Sequence, residues 1–151
     1  MPVSPFHRIL VGWDASPAAH HALALAMTLA DGDGIVIARA VLTPSPHTET
    51  GGERQRDLEA QRRWLREQFD TALATTATHG ARVRLEWGET PGIPDDLHAC
   101  ARLHGCDLIV LGRHGEDSRL RTGGLGPVAR AVSQDARLPV LLVGPPDAHD
   151  E

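Results

Sequence analysis

Residues 107–115 read Asp107-Leu108-Ile109-Val110-Leu111-Gly112-Arg113-His114-Gly115. The apolar run between Asp107 and Gly112 is short, rich in β-branched and aliphatic side chains, and closed by a turn residue. It predicts a strand buried on both faces, as in parallel sheets. Arg8-Ile9-Leu10-Val11-Gly12 has the same form, and so does Pro139-Val140-Leu141-Leu142-Val143, which Gly144-Pro145-Pro146 terminates. Ile35 to Leu42 adds a strand with β-branched Ile35, Val36, Ile37 and Val41. Arg82-Val83-Arg84-Leu85-Glu86-Trp87 alternates polar and apolar residues, which predicts a half-exposed strand at a sheet edge.

Helical patterns fill the gaps. Ser16 is a good N-cap and Pro17 a good first helical residue for Ala18 to Ala30, which Asp31-Gly32-Asp33-Gly34 stops. A polar loop from Thr43 to Gly52 precedes a long helix over Glu53 to Thr78, with Leu58, Leu65, Phe69, Ala72 and Leu73 as its apolar stripe. A turn over Pro91 to Pro94 opens a helix with Ile93, Leu97, Cys100, Ala101 and His104 on one side. A short helix runs from Gly126 to Arg137 with Pro127 at its first position. The order is β-α-β-α-β-α-β-α-β, which predicts a mostly parallel α/β sheet with helices on both faces. At 151 residues the chain suits one domain, with a core of about 7–144 and an acidic tail over 145–151.

Composition narrows the function. Net charge is −5, and five aromatics include no Tyr, so neither backbone-phosphate binding to nucleic acid nor base stacking is expected. All 15 basic residues are Arg. Without Lys, the P-loop, kinase and Schiff-base mechanisms are excluded. No apolar run suits a membrane span, and the N-terminus does not read as a signal peptide, so a cytoplasmic protein is expected. Two cysteines make no disulfide framework.

Ligands of open α/β sheets bind beyond the carboxyl ends of strands, where strand order switches. Asp14 follows one apolar strand, Ala40 lies near the end of the second, and Gly112-Arg113-His114-Gly115 leaves another. The last segment continues to Gly126 and runs into a helix N-terminus, where backbone N–H groups favour an anion. Four Arg face Glu116 and Asp117 between Arg113 and Arg130. The same features also fit a surface loop with solvated charges. Ser16 is the better cap, which leaves Asp14 for a ligand. Gly124-Leu125-Gly126-Pro127-Val128-Ala129 fits a dinucleotide pattern but does not directly follow a strand, so a dehydrogenase is not expected. His98, Cys100, His104 and Cys106 match no standard zinc spacing, and a buried thiol explains Cys100 more simply. Adjacent His20 and His21 point in different directions, so at least one is expected in solvent.

In Ile9-Leu10-Val11-Gly12-Trp13-Asp14, Asp107 to Gly115, Leu138 to Val143 and the Gly88/Pro91 turn, taken in this order, the chain resembles the universal stress protein family. The resemblance implies a Rossmann-like five-stranded parallel sheet of order 3-2-1-4-5. It implies an ATP or other adenine-nucleotide site, with or without Mg²⁺, and a dimer through Val140–Val143. Asp14, beside Ala15, would hold the ribose and the Ala40 backbone the adenine edge. Gly112 would lie by the ribose, flanked by Arg113 and His114, and Gly115 and Gly126 would approach the phosphates beside Pro127 and Val128.

Nucleotide-binding members carry Gly-x2-Gly-x9-Gly followed by Ser or Thr. Here ten residues separate Gly115 from Gly126, and Pro127 takes the Ser/Thr position. Losing one hydrogen bond to a charged group costs roughly 1.5–3 kcal/mol. Arg113, Arg119 or Arg121 can offset that loss by pairing with phosphate, and Gly123 and Gly124 can absorb the extra residue. The expected function is a dimeric nucleotide-binding stress regulator acting on an unknown protein partner. The alternatives are a nucleotide-free interaction module and a slow ATP hydrolase.

Overall fold

A computed structural model describes residues 5–30, 32–43, 51–76, 81–89, 92–114 and 125–146. The elements in chain order are β1 (Arg8–Gly12), α1 (Pro17–Leu29), β2 (Ile35–Val41), α2 (Gly51–Ala74), β3 (Arg82–Gly88), α3 (Ile93–His104), β4 (Leu108–Gly112), α4 (Pro127–Gln134) and β5 (Val140–Val143). They match the expected alternation. Helix α2 begins two residues early, and α4 stops at Gln134 rather than Arg137. All strands pair in parallel in the order β3-β2-β1-β4-β5.

That order explains the strand compositions. Central β1 has neighbours on both edges and helices on both faces, so Ile9, Leu10 and Val11 are fully buried. Its side chains alternate between two cores. Ile9 and Val11 join Val36, Ala38 and Val110 under α1 and α2, where Leu23, Met27, Leu65 and Phe69 pack. Leu10 joins Ile37, Ile109 and Leu111 under α3 and α4, where Leu97, Ala101 and Val132 pack. Strand β3 has one neighbour, and its alternation is that of an edge strand.

Local chemistry fixes the ends. Buried Ser16 caps α1, its Oγ accepting the Ala19 N–H at 3.1 Å, and Pro17 occupies the first turn. Asp107 clips the start of β4 to the start of β1: its carboxylate accepts the His7 N–H at 3.0 Å and the Arg8 N–H at 3.3 Å. Trp13 leaves β1 and enters the core, donating from Nε1 to the Leu65 carbonyl at 3.1 Å and meeting Phe69 edge-on.

On the α3 face, Arg39 of β2 forms a two-pronged bond to Asp96 of α3, at 2.8 and 2.9 Å. The Asp96 hydrogen bonds hold the Arg39 guanidinium above its usual pKa. Gly88, part of the Gly88/Pro91 turn in the sequence reading, makes this approach possible. A Cβ there would lie 2.6 and 2.7 Å from the two Asp96 oxygens. Gly88→Ala is therefore expected to destabilise the fold by about 1–3 kcal/mol, read as a lower urea midpoint. An unchanged midpoint would mean that Asp96 can move away without loss.

Candidate functional site

The chain turns from the β2–β3 side of β1 to the β4–β5 side, so β1 and β4 flank the switch in strand order. The segments after Gly12 and Gly112 leave the sheet there. Asp14 and Arg113 follow these two neighbouring strands, as a crevice at a switch point requires.

The first segment is held tightly. The Ser16 N–H donates to Asp14 Oδ1 at 2.9 Å, forming an Asx turn. Contrary to expectation, the Ser16 cap does not leave Asp14 over, because its carboxylate also shapes the turn. Ala15 between them has φ 64°, in the left-handed region, at a cost of roughly 1–2 kcal/mol for an L-residue. It is the one non-glycine with positive φ among the described residues, and no sequence signal marks it.

The second segment packs against α1. A Cβ on Gly112 would lie 2.7 Å from Ala18 Cβ and 3.0 Å from the His114 carbonyl oxygen. Gly112 therefore has a packing role irrespective of any ligand. The Arg113 N–H donates to the Val143 carbonyl at 2.8 Å, and the Arg113 carbonyl accepts the Gly126 N–H at 2.7 Å. Residues 113 and 126 are thus joined at the sheet's carboxyl edge. Helix α4 starts there with no side-chain cap at Gly126 and with Pro127 at its first position. Pro127 has no N–H, so the next backbone donors belong to Val128 and Ala129. Pro127 is exposed, while His114 and Val128 are half-buried. Gly115, Arg119, Arg121, Gly123 and Gly124 lie outside the described residues.

Ala40 is not brought to the crevice. Peptide groups alternate sides along a strand. Ile35 donates to His7, and Arg39 accepts from Trp13, so odd-numbered residues of β2 face β1. Gly34 accepts from Arg82, and Leu42 donates to Gly88, so even-numbered ones face β3. Ala40 thus turns its peptide groups to β3, and its side chain is fully buried. Val41 presents its peptide groups on the β1 side, beyond the bond from Trp13. The adjacent histidines also differ from expectation, since both are half-buried. His20 packs on the Trp13 ring at 4.9 Å, and His21 Nδ1 bonds the Gly144 carbonyl at 2.9 Å.

A separate cleft of about 390 Å³ is lined by Glu59, Arg62, Arg63, Arg66 and Trp87. Arg62 lies over the Trp87 ring at 5.0 Å and pairs with Glu89 at 3.0 Å, so its charge is largely answered within the chain. The described residues contain no helix long and apolar enough to cross a membrane.

Fold and crevice define a single-domain, doubly wound α/β protein. The universal stress protein family model matches residues 5–144, and the chain belongs to that family. Solved structures agree on the fold. A universal stress protein from Burkholderia pseudomallei is 28% identical, with TM-score 0.68, covering 94% of this chain and 98% of that one. UspA from Lactobacillus plantarum is 24% identical, with TM-score 0.72, covering 91% and 97%. A universal stress protein in complex with cAMP is 24% identical, with TM-score 0.58, covering 92% and 97%. No curated protein matches the sequence.

The strained turn gives a direct test. Ala15→Gly removes the left-handed strain but loosens the unfolded chain by ~0.5–1 kcal/mol. The net expectation is a gain of about 0.5–1 kcal/mol, seen as a higher melting temperature. A lower melting temperature would show that the Ala15 methyl contributes more by packing than the turn costs.

Proposed function

We propose that the protein is an adenine-nucleotide-binding stress regulator, with ATP the first candidate and Mg²⁺ as its counter-ion. The observation that carries this reading is the Asp14-Ala15-Ser16 turn. A carboxylate fixed on a strained backbone stands beside the strand switch, and strain of this kind concentrates at functional sites. Asp14 would accept ribose hydroxyls. The backbone of Val41, rather than that of Ala40, would meet the adenine edge. Gly112 lies by the ribose in this reading, and Gly115 with the start of α4 takes the phosphates. The bound cAMP of one fold relative supports a nucleotide as the ligand class.

Binding would change the surface shown to a partner protein. The protein acts as a binder, with at most weak ATPase activity, and the cytoplasm is its proposed location. Strand β5 has its outer edge on the rim of the sheet, which supports an isologous dimer through Val140–Val143. Pro139 accepts from Ile109, so Val140 turns its N–H away from β4.

Calorimetric titration with Mg-ATP and with cAMP tests the site. Asp14→Ala is expected to weaken binding ~10- to 100-fold. Pro127→Ser restores an N–H and a hydroxyl, and should tighten binding by a similar factor. Equal affinity in wild type and both variants would place the site elsewhere. Native mass spectrometry tests the dimer, which Val140→Pro should convert to monomers by removing the outward N–H. A dimer that survives this change uses another surface.

Pro127 also favours a second reading, an interaction module that kept the fold and lost its ligand. Wild type that binds no nucleotide while Pro127→Ser binds would establish it.

A further inference from the structure

Along the sequence, His98, Cys100, His104 and Cys106 match no standard zinc spacing. The fold adds a residue from a distant strand. Glu86 lies on edge strand β3 and faces α3, where Cys100 and His104 stand four residues apart on one helix face. Glu86 Oε1 is 2.9 Å from His104 Nε2 and 3.9 Å from Cys100 Sγ. All three ligand atoms lie within 4.8 Å of one another.

We propose that Glu86, Cys100 and His104 form a zinc site with three protein ligands and a fourth position for water. Tetrahedral zinc at its usual bond lengths would set N···O and S···O separations of roughly 3.3 and 3.6 Å. The two separations to Glu86 Oε1 differ from these by a few tenths of an ångström, and Cys100 Sγ and His104 Nε2, within 4.8 Å of each other, would close to roughly 3.6 Å around the ion. One thiolate, one imidazole and one carboxylate make a donor set of borderline softness, which suits zinc.

The surrounding charges constrain the site. Arg39 Nη1 is 3.5 Å from Glu86 Oε1, but its main partner is Asp96. Arg84 Nε is 3.2 Å from Glu86 Oε2, the oxygen turned away from the three-ligand cluster. Arg84 Nη2 lies 3.3 Å from His104 Nδ1. A guanidinium only donates, so Nδ1 accepts and Nε2 carries the imidazole proton in the metal-free protein. An ion-pair network explains Arg39, Arg84, Glu86 and Asp96. Cys100 packs in the apolar core beneath α3 and turns its thiol to Glu86, so the metal reading adds a role to a side chain that the core already holds in place.

Burial pushes the Cys100 thiol up to about 11, so at neutral pH the metal-free side chain is a thiol rather than a reactive thiolate. Zinc binding forms Zn–S, Zn–N and Zn–O bonds and breaks the S–H bond. The imidazole proton passes from Nε2 to Nδ1, and half-exposed Arg84 moves off Nδ1 while keeping Glu86 Oε2. One proton leaves to the buffer for each zinc bound. The site is separate from the nucleotide reading and does not depend on it.

The test is zinc titration of the full chain by calorimetry, with Co²⁺ as a spectroscopic probe. The wild type should bind one zinc per chain and release one proton. Its Co²⁺ form should show a thiolate charge-transfer band. Cys100→Ser should abolish the band, and Cys100→Ser and His104→Gln should each weaken zinc binding beyond the ~10- to 100-fold typical of losing an outer partner of a ligand. Cys106→Ser, beside the site, should leave both readouts unchanged, and circular dichroism checks that each variant folds. Absence of zinc binding in the wild type overturns the proposal. So does binding that survives Cys100→Ser, which would trace the metal to other histidines.

Discussion

The backbone ladder of β1 to two parallel neighbours is the constraint on which the molecule depends. Every residue from Arg8 to Gly12 pairs with β2, and Ile9 to Val11 pair with β4 as well. A strand enclosed on both edges and both faces has no water to satisfy a stray peptide group. Its register therefore cannot slip without exposing polar backbone and turning both cores inside out. Fixing that register also fixes where the chain leaves the sheet. Asp14 and Arg113 reach the same rim because the strands before them are locked side by side.

The strands and helices were legible because each carries its burial in its composition. The three apolar runs became the two central strands β1 and β4 and the thin edge strand β5. The polar alternation of Arg82 to Trp87 became the opposite edge. The strand order was supplied by family resemblance rather than by periodicity. What was not legible depends on phase and on distance. Whether residue 40 or 41 turns its peptide toward the crevice is decided by one bond from Trp13 to Arg39, and hydropathy does not record it. The left-handed turn at Ala15 was hidden too, because alanine gives no hint of positive φ. Glu86 looked like one polar residue of an alternating strand until the fold placed it against Cys100 and His104.

The two faces of the sheet divide the labour. Beneath α1 and α2 the packing is almost wholly apolar, with the bond from Trp13 Nε1 to the Leu65 carbonyl set inside it. Beneath α3, β2 and β3 contribute Arg39, Arg84 and Glu86, and α3 answers with Asp96, Cys100 and His104. This polarity is tolerable because β3 is an edge strand, where charged groups find partners and partial contact with water. The same residues in the centre of the sheet would have no such relief.

The bond between Arg113 and Gly126 also bears on how such proteins diverge. It fixes both ends of the intervening segment at the carboxyl edge of the sheet. Loop-closure entropy grows with the logarithm of length, so one added residue in a segment of this size costs about 0.1 kcal/mol. In closure entropy, then, an insertion between those ends is nearly without cost. Selection can lengthen, shorten or rewrite that stretch while leaving the sheet untouched, and ligand choice can change with almost no effect on folding.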